Sequence, residues 1–319
     1  MIAVLCGGVG AARFLAALAR VVEPADTVGI VNTGDDAVLH GLAISPDLDT
    51  VTYTLADAID RDRGWGLANE SWRAMDALQR YATVRPESSA AAPTWFNLGD
   101  SDLATHFYRT ARLAEGATLA EVTTEICEAW SVEQRLVPMS NHTVSTVVTL
   151  AGGGDVSFQE YFVKLRHGVP VSAVRFEGAT EAELTPGLDD VLRSADAVMI
   201  APSNPIVSIG PIRALRGVDE ILGKRRSSVV AISPIVGGAA LKGPADRMMR
   251  ELGHEPSVVG VARLYAPIAG TLIIDPVDAH LAEAVAAEGM RAVITPSVMS
   301  NPETGAALAR VSLGAASAQ

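Results

Sequence analysis

The opening fifteen residues, MIAVLCGGVGAARFL, restrict the fold more than any other stretch. An apolar run at Ile2–Cys6 passes straight into Gly7, Gly8, Val9 and Gly10, and then into an alanine-rich helical stretch. Strand, glycine turn and helix together form the opening unit of a doubly wound α/β fold. The pattern recurs. Short apolar runs at Thr27–Asn32, Ala197–Ala201, Ser228–Ser233, Ser257–Val261, Gly270–Asp275 and Ala292–Thr295 read as strands. Stretches such as Ala11–Val21, Gly243–Leu252 and Ala279–Glu288 read as helices between them. These strands are apolar on both sides of the pleat, as in a parallel sheet covered by helices on both faces. The expected fold class is α/β: a doubly wound, mostly parallel Rossmann-like sheet with a helical insertion over its carboxyl edge.

The middle of the chain breaks the alternation. Residues 54–135 contain no clear buried strand and read as helices at Asn69–Tyr81, Ser101–Leu113 and Leu119–Trp130, with Ser88–Pro93 as a loop. The expected organisation is a core of residues 1–53 and 136–319, binding the nucleotide part of a ligand, and an insertion of residues 54–135 covering a second site. Val144–Leu150 and Val156–Phe162 flank AGGGD and predict a hairpin, with the main sheet resuming near Val171. The tail GAASAQ reads as frayed.

The chain has 319 residues, 49% of them hydrophobic, enough for one large core or two coupled ones. Its net charge of -12 argues against non-specific binding to nucleic acid or a membrane surface. It does not argue against a nucleotide, because backbone N–H groups can build a phosphate site locally. The two cysteines, Cys6 and Cys127, sit in apolar patterns without metal-ligand spacing, which fits a reducing cytoplasm. No basic leader and no 18-residue apolar stretch is present, so neither a signal peptide nor a membrane span is expected.

Ligands of such folds sit outside the carboxyl ends of the strands. Gly7, Gly8 and Gly10 would let backbone amides approach an anion there, although Arg13 stands where a dinucleotide fingerprint has its third glycine, and a plain tight turn has the same pattern. The second strand ends in VNTGDD, bringing Asn32, Thr33, Asp35 and Asp36 to the same edge. Ten residues on, SPDLDT carries Asp47 and Asp49. Read as an extended loop, it points both the same way, toward a shared Mg²⁺. Turn and cap chemistry also accounts for such aspartates. APSNPIVSIGPI follows a buried strand and offers Ser203, Asn204 and Ser208 from a proline-braced loop. ISPIVGG at 232–238 repeats the style. His106 and His142 are candidate catalytic residues, but lone histidines more often serve as structural hydrogen-bonders.

Taken in order and spacing, GGVGAARFL, VNTGDD, ISPDLDTV, DRDRGWG, LGDSDLATH, PMSNHTVST and APSNPIVSIGPI resemble the 2-phospho-L-lactate transferase family of coenzyme F-420 biosynthesis. Its actinobacterial members act as phosphoenolpyruvate transferases. The resemblance covers nearly the whole chain. It implies a cytoplasmic, homodimeric, Mg²⁺-dependent phosphotransferase for substituted phosphate groups. The donor would be a guanosine diphosphate ester of a small hydroxy or enol acid: a phosphoenolpyruvyl, 2-phospho-L-lactyl or 3-phosphoglyceryl group. The acceptor would be the ribityl hydroxyl of the deazaflavin Fo, and GMP would leave. Under this resemblance Gly7, Gly8, Gly10, Ser203, Asn204 and Ser208 hold the nucleotide. Thr33, Asp35, Asp49 and Asn97 hold Fo. Asp47 and Asp49 hold the metal, and Asp49 and Asp36 are catalytic. Asn97 stands where archaeal members have a lysine, Gly34-Asp35-Asp36 matches the actinobacterial members, and Asn141-His142 replaces two acidic residues of many members. Two other readings remain open: a nucleotidyltransferase that makes the activated donor, and a nucleotide- or flavin-sensing binding protein.

Overall fold

The computed structural model describes residues 1–317. Its centre is a seven-stranded sheet: β1 (Ile2–Cys6), β2 (Thr27–Val31), β3 (Arg135–Pro138), β4 (Ala197–Ile200), β5 (Val229–Ile232), β6 (Thr271–Ile274) and β7 (Arg291–Ile294). The spatial order is 3-2-1-4-5-6-7 and every pairing is parallel. The order reverses between β1 and β4, which is the switch point where doubly wound sheets hold their ligands.

The apolar runs work as expected because alternate side chains enter different cores. Ala3, Leu5, Val28, Ile30, Val198 and Ile200 pack into the core on one face. Ile2, Val4, Cys6, Val31, Met199 and Ile232 pack into the core on the other, beneath helix α1 (Gly8–Leu18) and the C-terminal helix Pro302–Ser317. Period-2 geometry makes every strand residue a core residue when both faces are covered.

Several expectations fail for local reasons. Ser257–Val261 is not a strand: the Ser257 hydroxyl accepts from Val259 N (3.1 Å) and Gly260 N (3.3 Å), capping a buried helix, Val258–Tyr265. An apolar run alone does not separate a buried helix from a strand, and here the cap decides. The second hairpin strand is only Asp155–Ser157, and Glu160–Lys164 is a π-helix. Val171–Glu177 does not return to the main sheet; it pairs antiparallel with Ser145–Leu150 in a separate three-stranded sheet. β3 lies at the end of the stretch that read as strand-free. The C-terminal helix takes in Gly314–Ser317 of the tail expected to fray; Ala318 and Gln319 lie outside the described residues.

Helix α2 (Pro46–Leu55) follows β2, and after it come α3 (Arg73–Ala82), α4 (Asp102–Ala114) and α5 (Leu119–Ala129). Helices α3 and α4 begin by exchanging caps. Asp100 accepts from Arg73 N and Ala74 N, while Glu70 accepts from Ser101 N and Asp102 N. So Asp100 caps the helix before it in the chain, not the one after it. The Thr118–Glu121 capping box starts α5, and Arg112 on α4 pairs with Glu125 on α5. Among the described residues no helix is long and apolar enough to cross a membrane.

Candidate active site

A cleft of about 830 Å³ opens at the carboxyl ends of the strands. The glycine loop after β1, Pro202–Asn204 after β4, Ser233–Pro234 after β5 and Ser297–Ser300 after β7 all line it. Asp47, Asp49, Tyr53, Asn97, Asp102 and His106 form another part of the wall, and Trp65, Trp95, Phe96, Phe158 and Phe162 an aromatic part.

The glycine loop is built around close approach. Gly8 opens α1 with φ +74°, a left-handed conformation that favours glycine. A Cβ on Gly10 would lie 2.3 Å from the Pro202 carbonyl oxygen, and one on Gly7 2.6 Å from Asp47 Oδ2. Across the switch point, Ser203 Oγ donates to the Gly7 carbonyl (2.8 Å). Asn204 Oδ1 accepts from Ile206 N (2.9 Å), so its amide braces its own loop while facing the cleft. Ser208 also faces the cleft, with its Cβ against Gly7.

Asp47 is buried beside this loop. It accepts from Asn32 Nδ2 (2.9 Å). Burial pushes its carboxyl up to about 6, although the Asn32 hydrogen bond and the Gly8 N–H pull the other way. Asp35 lies near enough to feel that charge. Burial first, then the charges of Asp47 and Asp36, hold the Asp35 carboxyl well above the ordinary range. Asp35 Oδ1 is buried without a hydrogen-bond partner.

The structure separates Asp47 from Asp49. SPDLDT is not an extended loop; it is the first turn of α2, begun by Pro46. Residues two apart on a helix point to different sides. Asp47 meets Asn32 and the glycine loop, while Asp49 is gripped through both oxygens by Arg109 of α4, with Nη1 donating to Oδ2 at 3.2 Å and Nη2 to Oδ1. The two carboxylates therefore have different partners. Asp35 is the cleft carboxylate whose ionisation the Asp47 charge disfavours. Asp36 and Thr33 do not line the cleft: Asp36 accepts from Ser45 Oγ (2.7 Å), and Thr33 is buried.

Sequence reasoning missed Arg109, which is 2% exposed. Its neighbours form a buried chain: His106 Nδ1 lies 3.3 Å from Arg109 Nη1, His106 Nε2 lies 3.3 Å from Asp102 Oδ2, and Tyr53 OH donates to Asp102 Oδ1 (2.6 Å). His142 is structural: its Nδ1 accepts from Glu183 N, and Asn141 accepts from Ala120 N at the start of α5. The turn that replaces two acidic residues thus serves the packing of α5, away from the cleft lining.

The sequence profile of 2-phospho-L-lactate transferase CofD matches residues 2–302. The chain belongs to that family. It is 41% identical to the phosphoenolpyruvate transferase of Streptomyces griseus, over 98% of this chain and 97% of that protein. It is 37% identical to the phosphoenolpyruvate transferase of Mycolicibacterium smegmatis, over 98% and 97%. A solved UPF0052-family structure from Bacillus halodurans covers 98% of both chains with a TM-score of 0.61 at 14% identity, a likeness of fold. For a CofD-family transferase, the cleft at the switch point is the natural place for the chemistry.

Proposed function

We propose that this CofD-family protein is a coenzyme F-420 biosynthetic transferase. It moves a phospho-acid group, phosphoenolpyruvyl in the first instance, from a guanosine diphosphate-activated donor to the ribityl hydroxyl of Fo. The observation that carries this reading is that a single cleft combines a phosphate-type glycine loop with an aromatic wall suited to a planar ring system. The choice of phosphoenolpyruvyl rests on relatives named phosphoenolpyruvate transferase.

In this reading the Fo hydroxyl oxygen attacks the β-phosphorus, a new P–O bond forms, and the bond to GMP breaks. The hydroxyl proton leaves late, because a primary alcohol is a weak acid, and a cleft carboxylate receives it. Gly7, Gly8, Gly10, Ser203, Asn204 and Ser208 position the nucleotide. Asp49 and Asn97 face the acceptor. Catalysis is mainly positioning and charge stabilisation.

The resemblance implies Mg²⁺. Asp35 and Asp47 fit it: two buried carboxylates whose pKa values burial raises, one with an unpartnered oxygen, suit a hard cation that completes its shell with water and phosphate. Bound there, the ion would offset the charge of the diphosphate. A homodimer in the cytoplasm completes the reading.

The test runs the protein with synthetic guanosine diphosphate-activated phosphoenolpyruvate and Fo, and separately with GTP and phosphoenolpyruvate. GMP and a phosphodiester of Fo support the proposal. Pyrophosphate from the second mixture would instead make it a nucleotidyltransferase, and binding without turnover would make it a sensor. Light scattering reads the dimer.

A further inference from the structure

We infer that Arg109 is a positioning residue that aims Asp49 at the acceptor. This rests on the proposed function and extends it to a residue outside the cleft. Arg109 does not line the cleft, whereas Asp49 does. The guanidinium donates to both carboxylate oxygens of Asp49. It is itself fixed by Ala43 O (3.4 Å) and flanked by His106, one helical turn earlier on α4. A planar fork against a planar carboxylate fixes direction as well as distance, which a lysine cannot do. Each oxygen keeps lone pairs that the fork does not use. Asp49 can therefore accept from an acceptor hydroxyl while staying clamped. The buried pair gives little net stability over an apolar substitute, so stability alone does not account for it. Its geometric effect is that α4 sets the angle of a carboxylate carried by α2.

The test uses two variants of the full-length protein, Arg109→Lys and Asp49→Glu. The first keeps the cation and loses the fork. The second keeps the carboxylate and moves it by one methylene. Fo binding is followed by fluorescence, GDP binding by calorimetry, turnover by GMP release and folding by circular dichroism. For both variants the expected result is a loss in kcat/KM for Fo on the order of 10²-fold, the usual scale for a misplaced group, with GDP affinity within about twofold of wild type. Equal losses of Fo and GDP affinity, or normal turnover in either folded variant, would overturn the role. So would misfolding of both, which would mark the pair as a strut. A wild-type protein that neither binds Fo nor releases GMP would instead overturn the functional reading beneath it.

Discussion

Asp47 and Asp49 stand two residues apart and serve different parts of the cleft. Asp47 accepts from Asn32 beside the glycine loop, and Asp49 is held by Arg109 of α4. One helical turn thus turns one carboxylate toward the glycine loop and the other toward Arg109 of α4.

Asp49→Asn will affect the fold as well as the reaction. The buried Arg109 guanidinium would lose its counter-charge, and breaking such a pair costs about 3–5 kcal/mol. A sequence view that sets Asp49 in a loop expects almost no change in stability. Urea unfolding decides: an unchanged midpoint would mean that Arg109 finds another partner.

Mg²⁺ will stabilise the protein through Asp47. At 100 times its dissociation constant a ligand adds about 2.7 kcal/mol. For a chain of this size that is a Tm rise of roughly 4 °C over an EDTA-treated sample. Asp47→Asn should abolish the rise. A variant that kept the full shift would place the ion elsewhere.

Gly10→Val will weaken GDP binding by about tenfold or more. The added Cβ meets the Pro202 carbonyl, so the glycine loop and the loop after β4 must part. Calorimetry on the folded variant reads this. GDP affinity equal to wild type would leave the glycines as a plain turn.

Asp102 will contribute acid sensitivity. Burial opposes its ionisation, but the His106 and Tyr53 contacts and the Arg109 charge outweigh it and hold the carboxyl below 3.8. A depressed folded pKa gives stability that is present above the unfolded value and is lost as pH falls through the folded one. The stability gap between wild type and Asp102→Asn should be flat from pH 7 to about 4, the usual carboxylate pKa, and narrow below it. Denaturant melts at pH 3, 5 and 7 test this; a constant gap would exclude the linkage.

The strands were legible because all-buried runs leave one interpretation of their faces, and the glycine loop because its bare backbone is local. Ser257–Val261 was misread because helix and strand share an apolar run, and only the Ser257 cap separates them. Asp47 and Asp49 were misread because Pro46 starts a helix where a loop was expected. Arg109 was not legible at all. Its partner lies 60 residues away, and an arginine on an amphipathic helix looks like any solvated cation until the tertiary contact forms.

The strand order has a consequence during synthesis. β1 can pair with β2 as soon as Val31 has emerged, but its other edge waits for β4, and Met1 meets Asp196 across 195 residues of chain. At ~5–20 residues per second that wait is on the order of ten to thirty seconds. For that time the nascent chain carries an apolar, unpaired central edge, the kind that captures other strands. Slow elongation would lengthen the exposure and fast release would shorten it. The yield of folded protein should therefore depend on translation rate and on chaperones that shield strand edges. The same topology leaves the ligand loops apart until the last third of the chain is made.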